Sequence, residues 1–269
     1  ETYEFESSVE RGMVNVFAAI GSYELHPDLD EVDEGRWWEL ADIDASIGKD
    51  VFTPNFESEF AMEVGKLIGM DVEFQEIDWG QKYNELNSGA IDCIWNGFTA
   101  NSSDDGVKRS ELVDFSYGYM LNQQCIVVKK DAVDSYKSAA DLKGKKACVE
   151  AGSAGESYAE TVTDKDKIFS ATAQINTFTE VKSGAVDFAV VDVLLAQNIC
   201  GKGDYADLTI VDAIELESEI YAVGFKKGSE LTAKVNEAIK TLDENGKLME
   251  LAKKYGFENV LKVIENIED

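Results

Sequence analysis

Few residues in this chain have the chemistry to hold a small ligand, and they are spread along it. There are three arginines, Arg11, Arg36 and Arg109, among many lysines. A guanidinium is the bidentate partner for a carboxylate, so Arg109 is a candidate anion clasp, with an ion pair to Glu111 or Asp104 as its alternative role. Asp192 ends the apolar run VVD, where its carboxylate can hold an ammonium group or cap the next helix. The stretch EAGSAGE (150–156) is a glycine turn entering a helix, and free N–H groups at a helix start bind anions. No GK[ST] follows, so it is not a nucleotide P-loop. Trp79 follows an alternating apolar segment and can act as packing or as a stacking wall. WNGFT (95–99) closes another apolar run and offers the Asn96 amide, the flexible Gly97, Phe98 and the Thr99 hydroxyl.

Other chemistries are disfavoured. The single histidine, His26, stands beside Pro27 in a polar stretch, which argues against a nucleophile–histidine–acid system or a histidine metal cluster. Cys93, Cys125, Cys148 and Cys200 form no CxxC pair, and the first three sit in apolar runs as small hydrophobes. With 25 Lys and Arg against 53 Asp and Glu, the net charge of −28 repels phosphate backbones and anionic membrane surfaces. No apolar run approaches the ~20 residues of a membrane helix. No metal or cofactor is expected.

These groups must be positioned by a scaffold, and an internal repeat outlines it. ELNSGAIDC (85–93) and EVKSGAVDF (180–188) lie 95 residues apart. Each follows a helix-like segment, turns at Ser-Gly and enters an apolar run. Helix, glycine turn and buried strand form the second half of a βαβ unit, so two α/β lobes of similar plan are expected. Phe56, Phe60, Val64, Leu67 and Ile68 repeat at helical spacing up to Gly69. DVEFQEI (71–77), QCIVVKK (124–130) and YAVGFKKGS (221–229) read as strands, and two closing helices end at Asn245-Gly246 and Gly256. The alternation predicts mostly parallel sheets covered on both faces. Residues 21–54 fit no period and read as an acidic surface excursion carrying Trp37 and Trp38.

The order of FESEFAMEVGKLIGMDVEFQEIDWGQKYNELNSGAIDCIWNGFT, KRSELVDFSYGYM, DLKGKKACVEAGSAGE, SGAVDFAVVD and GKLMELAKKYG resembles the bacterial extracellular solute-binding proteins of family 3, receptors of polar amino-acid ABC importers. The resemblance runs from about Phe56 to Phe257. It implies a type II periplasmic binding protein: two Rossmann-like α/β lobes joined by a two-strand hinge. Lobe 1 is expected at 1–118 and 222–269, lobe 2 at 124–217, and the crossings at 119–123 and 218–221. It further implies that Trp79 forms one ligand wall, with Asn96, Gly97, Phe98 and Thr99 beside it. Arg109, five residues before Asp114-Phe115, would clasp the α-carboxylate together with Gly152 and Ser153. Asp192 would take the α-ammonium, and Tyr23, Trp37 or Trp38 would supply a second wall.

The implied partners are a small amino acid and an ABC permease, with the receptor a monomer outside the cytoplasm and any signal or anchor segment outside this sequence. Two departures stand out. The segment TANSSDDGVKR between Thr99 and Arg109 is about five residues longer than usual, and the 21–54 excursion replaces the usual first-strand aromatic. Alternative functions on this scaffold are a dehydratase of prephenate-like acids, using Glu150 or Glu156 as general acid, and a sensor ectodomain.

Overall fold

A computed structural model of the chain describes residues 55–267 and the backbone of one strand, β1 (Ala18–Ile20). Tyr23, His26, Trp37 and Trp38, and with them the reading of 21–54 as an excursion, lie outside the described residues. The first part continues with α1 (Phe56–Ile68), β2 (Val72–Phe74), α2 (Lys82–Ser88), β3 (Cys93–Ile94), β4 (Ser103–Asp104), β5 (Val107–Lys108), α3 (Arg109–Leu112) and β6 (Asp114–Phe115). Then come β7 (Gly118–Lys129), β8 (Ala147–Glu150), α4 (Ala154–Val162), β9 (Ile168–Ala171), α5 (Gln174–Ser183), β10 (Phe188–Asp192), α6 (Val193–Ile199) and β11 (Leu208–Ile210). The chain returns through β12 (Ser218–Tyr221) and β13 (Gly224–Phe225) to α7 (Leu231–Glu244), α8 (Lys247–Tyr255) and β14 (Leu261–Ile264).

The two Ser-Gly repeats are one structural device used twice. Gly89 ends α2 at φ 81°, its N–H donating to Glu85 and Leu86 carbonyls. Gly184 ends α5 at φ 79°, its N–H donating to Glu180 and Val181 carbonyls. The preceding serines match as well: Ser88 Oγ donates to Glu85 O at 2.9 Å and Ser183 Oγ to Glu180 O at 3.0 Å. Glycine is required because the left-handed backbone strains any residue with a Cβ.

At the other end of the fold, α1 starts with reciprocal bonds between Asn55 and Ser58, satisfying N–H groups that the helix start leaves open. Phe56, Phe60 and Val64 are buried along one stripe, whereas Leu67, expected in it, is 48% exposed. The helical period carries the stripe on to Ile68 and turns Leu67 outward.

Lobe 2 explains its unbroken apolar runs. On one face of its sheet lie Cys125, Val127, Cys148, Ala189 and Val191 beneath α5 and α6. On the other lie Ile126, Val128, Ala147, Val149, Phe188 and Val190 beneath α4. A strand covered on both faces has no solvent side on which to place polar residues. In lobe 1, α1, α7 and α8 enclose Phe56, Phe60, Trp95, Ile239 and Leu251, and a second cluster joins Trp79, Leu86, Ile94 and Phe98.

The expectation of mostly parallel sheets needs correction. β8 runs parallel to β9 and β10, but β7 is antiparallel to β10 and β11, and β13 is antiparallel to β3 and β6. The cause is the return of the chain between lobes, which inserts strands against the βαβ direction. β7 is the long outbound crossing. Its first half pairs with β12, in register from Met120↔Tyr221 to Gln123↔Ser218, and its second half enters the lobe 2 sheet. This is the two-strand hinge, and it joins two α/β lobes.

Candidate functional site

A cavity of about 250 Å³ lies between the lobes. Lobe 1 contributes Glu57, Trp79, Asn96, Gly97, Thr99 and Arg109; lobe 2 contributes Gln124, Glu150, Ser153, Gln174 and Asp192; Tyr221 comes from the crossing β12.

Of the expected ligand residues, Trp79, Asn96, Gly97, Thr99, Arg109, Ser153 and Asp192 all line this space. Asn96 and Gly97 take left-handed backbones, φ 86° and 66°, so the chain turns sharply off the end of β3. A Cβ on Gly97 would meet the Tyr221 ring at 3.8 Å and Asp192 Oδ2 at 3.9 Å, so it would project into the cavity toward that carboxylate. Phe98 does not reach the cavity. It is fully buried, takes the edge of Trp79 at 5.5 Å, and underlies the Arg109 guanidinium at 5.1 Å. Gly152 does not line the space either; its carbonyl faces the cations of lobe 1. Tyr23 and Trp37 are outside the described residues.

Arg109 opens α3 and is 1% exposed. Its Nε donates to Asp104 Oδ1 at 3.0 Å and its Nη2 to the same oxygen at 2.8 Å. Nη1 donates to Thr99 O at 3.1 Å, and Nη2 also to Gly152 O at 3.2 Å. The Asp104 pairing was one of the alternatives for this arginine, here with the arginine buried and the aspartate partly so. Asp104 Oδ2 accepts from Tyr83 at 2.6 Å and lies 3.4 Å from Lys82 Nζ. Despite burial, the Arg109 and Lys82 charges hold the Asp104 carboxyl below its ordinary value. Lys82 also donates to Gly152 O at 2.9 Å, and burial followed by the Arg109 charge lowers it to about 8.

Across the cleft, Gly152 N–H donates to Glu156 Oε2 at 2.7 Å, and Ser153 Oγ accepts from Glu156 N–H as the cap of α4. Helix α4 can approach β10 because residue 155 is glycine: a Cβ there would sit 2.7 Å from Val190 O.

Asp192 is nearly buried and richly bonded. Its Oδ1 accepts from Asn122 at 2.9 Å and Gln124 at 2.5 Å, its Oδ2 from Gln174 at 2.6 Å. The Asn122 and Gln124 amides also donate to Glu219 Oε2, at 2.7 and 3.0 Å. Burial, and then the charge of Asp192, raises Glu219 to about 7. Burial, again followed by Asp192, raises Glu150 to about 8, and burial raises Glu57 to about 7. The carbonyl oxygens of Asn122 and Gln124 are buried without a donor. The site is rich in acceptors and poor in donors.

Sequence reasoning missed Glu57, Lys82, Asn122, Gln124, Gln174, Glu219 and Tyr221. One signal was present: Asn122, Gln123 and Gln124 put three consecutive amides inside an otherwise apolar strand. A buried strand admits such groups only where they have partners.

Two α/β lobes, a paired-strand hinge and a polar cleft between them define a two-lobed solute-binding protein of the type II periplasmic kind. The profile of the bacterial extracellular solute-binding proteins, family 3, matches residues 56–259, and the chain belongs to that family. It is similar to the arginine-binding extracellular protein ArtP of Bacillus subtilis, 30% identical over 74% of this chain and 76% of that protein. It is also similar to the L-cystine-binding protein TcyA of the same organism, 30% identical over 77% of this chain and 74% of that one. Among solved structures, an ancestral arginine-binding protein bound to arginine aligns at a TM-score of 0.67 with 34% identity, covering 74% of this chain and 87% of the other.

Proposed function

We propose that this protein binds an amino acid with a cationic side chain between its lobes and delivers it to the permease of an ABC importer. One observation carries the choice of side chain. Among the described residues, the cavity is lined by Glu57, Glu150 and Asp192 against one cation, Arg109, which already has a carboxylate partner. Buried carboxylates without counter-charges are costly and take up protons, as the raised values of Glu57 and Glu150 record. A ligand cation replaces those protons. The zwitterion's ammonium would meet Asp192, and its side-chain cation would meet Glu150 or Glu57. Trp79 would give the aliphatic stem a wall. Family membership and the names of relatives such as ArtP support the same reading.

On this reading the receptor acts as a monomer outside the cytoplasm, with lobe boundaries at 1–118 with 222–269 and 124–217, and it turns nothing over. The test is a thermal-shift panel of the twenty amino acids on protein refolded from denaturant. A ligand at a hundred times its Kd adds about 2.7 kcal/mol of stability. Arginine, lysine or histidine is expected to give the largest shift. A shift confined to neutral or acidic amino acids rejects the cationic assignment, and a flat panel rejects amino-acid binding. Loss of water from a prephenate-like acid, abolished by Glu150→Gln, would favour the dehydratase alternative, for which Glu150 is protonated at neutral pH.

A further inference from the structure

Beside the cavity the two lobes also meet through groups that do not face the ligand space. Lys82 opens α2 in lobe 1 and is 2% exposed. Its Nζ donates across the cleft to Gly152 O of lobe 2 at 2.9 Å, and Arg109 Nη2 donates to the same oxygen at 3.2 Å. Two lobe 1 cations thus converge on one lobe 2 carbonyl. Lys82 is held in place for this contact. Its Nζ lies 5.3 and 4.7 Å from the centres of the Trp79 and Tyr83 rings and 3.4 Å from Asp104 Oδ2.

The backbones come close at the same place. A Cβ on Gly152 would fall 3.1 Å from Lys82 Nζ and 3.4 Å from Gly80 Cα, and one on Gly80 would meet Ala151 Cβ at 3.8 Å. Gly80 lies in the turn Trp79–Gln81, so glycine faces glycine where the lobes touch. A second tie comes from the hairpin of β4 and β5, inside the lengthened segment before Arg109: Ser157 Oγ of α4 donates to Ser103 O at 3.0 Å. Asp105 and Gly106 turn that hairpin at φ 51° and 78°, the left-handed pair that a tight two-residue turn demands. Gly80, Lys82, Ser103, Gly152 and Ser157 do not line the cavity. Their contacts form on closure and favour it by the same amount whichever ligand is inside.

We propose that Lys82, the Gly80–Gly152 contact and the β4–β5 hairpin form an interlobe latch beside the ligand site, which sets how long a ligand is held without choosing which ligand it is. Lys82 is its positioning residue: it acts through Gly152 and touches no ligand. The closed state gains population from the latch, and apparent affinity scales with the population of the binding-competent state. The kinetic half of the test rests on the amino-acid reading above; the scattering half does not.

The experiment compares the full chain, refolded free of ligand, with Lys82→Met and Ser157→Ala. Methionine keeps an unbranched side chain against the Trp79 and Tyr83 rings, and Gly152 O and Asp104 each keep Arg109 as a donor. Stopped-flow fluorescence with arginine, lysine and histidine measures association and dissociation separately. Dissociation is expected to quicken about tenfold in Lys82→Met and about threefold in Ser157→Ala, with association within about twofold of the parent. The factor is expected to be the same for every one of the three that binds. Unchanged dissociation overturns the latch, and a factor that differs between ligands overturns it too, because Lys82 would then be reading the ligand. Ser157→Ala decides if Lys82→Met does not fold. If none of the three binds, the cationic-ligand reading falls and small-angle X-ray scattering of the empty proteins decides. A larger radius of gyration in the variants than in the parent supports the latch, and equal radii overturn it.

Discussion

Asp192 and Glu219 accept hydrogen bonds from the same two side-chain amides. The Asn122 amide reaches them at 2.9 and 2.7 Å and the Gln124 amide at 2.5 and 3.0 Å. Asp192 ends the lobe 2 strand β10 and faces the cavity, while Glu219 lies on the crossing β12. The pair therefore ties the ligand site to the hinge through buried polar groups. Burial raises both carboxyls above the ordinary range, and the charge of Asp192 raises Glu219 further.

This has a consequence for stability. Burial lifts Glu57 and Glu219 to about 7 and Glu150 to about 8 from the ordinary 4.5. Between those limits the folded empty protein holds more protons than the unfolded chain, so its stability falls as pH rises. The melting temperature of ligand-free protein is expected to drop steadily from pH 5 to pH 8. Glu219→Gln should flatten that slope and raise the melting temperature at pH 8. Calorimetric scans across the range check both, and a slope of opposite sign would reject the buried-acid account.

A ligand cation should reverse the dependence. Affinity for the preferred basic amino acid is expected to rise between about pH 6 and pH 8, as protons no longer compete for Glu150. Glu150→Gln should weaken that ligand and remove most of the rise. Titrations at pH 6 and pH 8 measure it.

Asp192→Asn keeps the shape of the side chain and the nearby amides but removes the charge proposed to meet the ligand's ammonium. Losing one partner of a desolvated charge pair costs roughly 2–5 kcal/mol. A fall in affinity of at least about thirtyfold is expected, with the far-ultraviolet circular dichroism unchanged. The empty variant should melt no lower than the parent at pH 8, since a repulsive carboxylate has gone.

Gly155→Ala tests the close approach of α4 to β10. The added methyl would fall 2.7 Å from Val190 O and 3.0 Å from Gln124 Oε1, with backbone as the nearer obstacle. Overpacking of this kind costs about 1–3 kcal/mol, so the urea midpoint should fall. Affinity should fall as well, because displaced Gln124 is a direct donor to Asp192.

Much of the scaffold was legible in the chain. The Ser-Gly repeats announced two helix ends, and Gly89 and Gly184 adopt one geometry because both meet one need. The continuous apolar runs at 125–128 and 188–191 announced strands covered on both faces. Strand direction was less legible: apolar periodicity is the same for parallel and antiparallel neighbours, and the returning hinge strands carry no mark of their direction. Of the candidate site, Trp79, Arg109 and Asp192 stood out by residue type at the ends of elements. Phe98, expected beside the ligand, is buried away from the cavity that its neighbours on both sides line.

What the sequence by itself determined is the two-lobed plan, which depends on local period, caps and turns, and the family, which it resembles in the order of its motifs. What only the tertiary structure decided is who partners whom. Asp104 lies five residues from Arg109, a spacing equally suited to a loose surface pair, yet folding buries Arg109 and sets two of its N–H groups on a part-buried Asp104. Asn122, Gln124, Asp192 and Glu219 are scattered over almost a hundred positions and meet only where β7, β10 and β12 run together. Burial removes water as a competing partner, so buried polar groups bond to whatever the fold brings within reach, and that choice leaves no pattern along the chain.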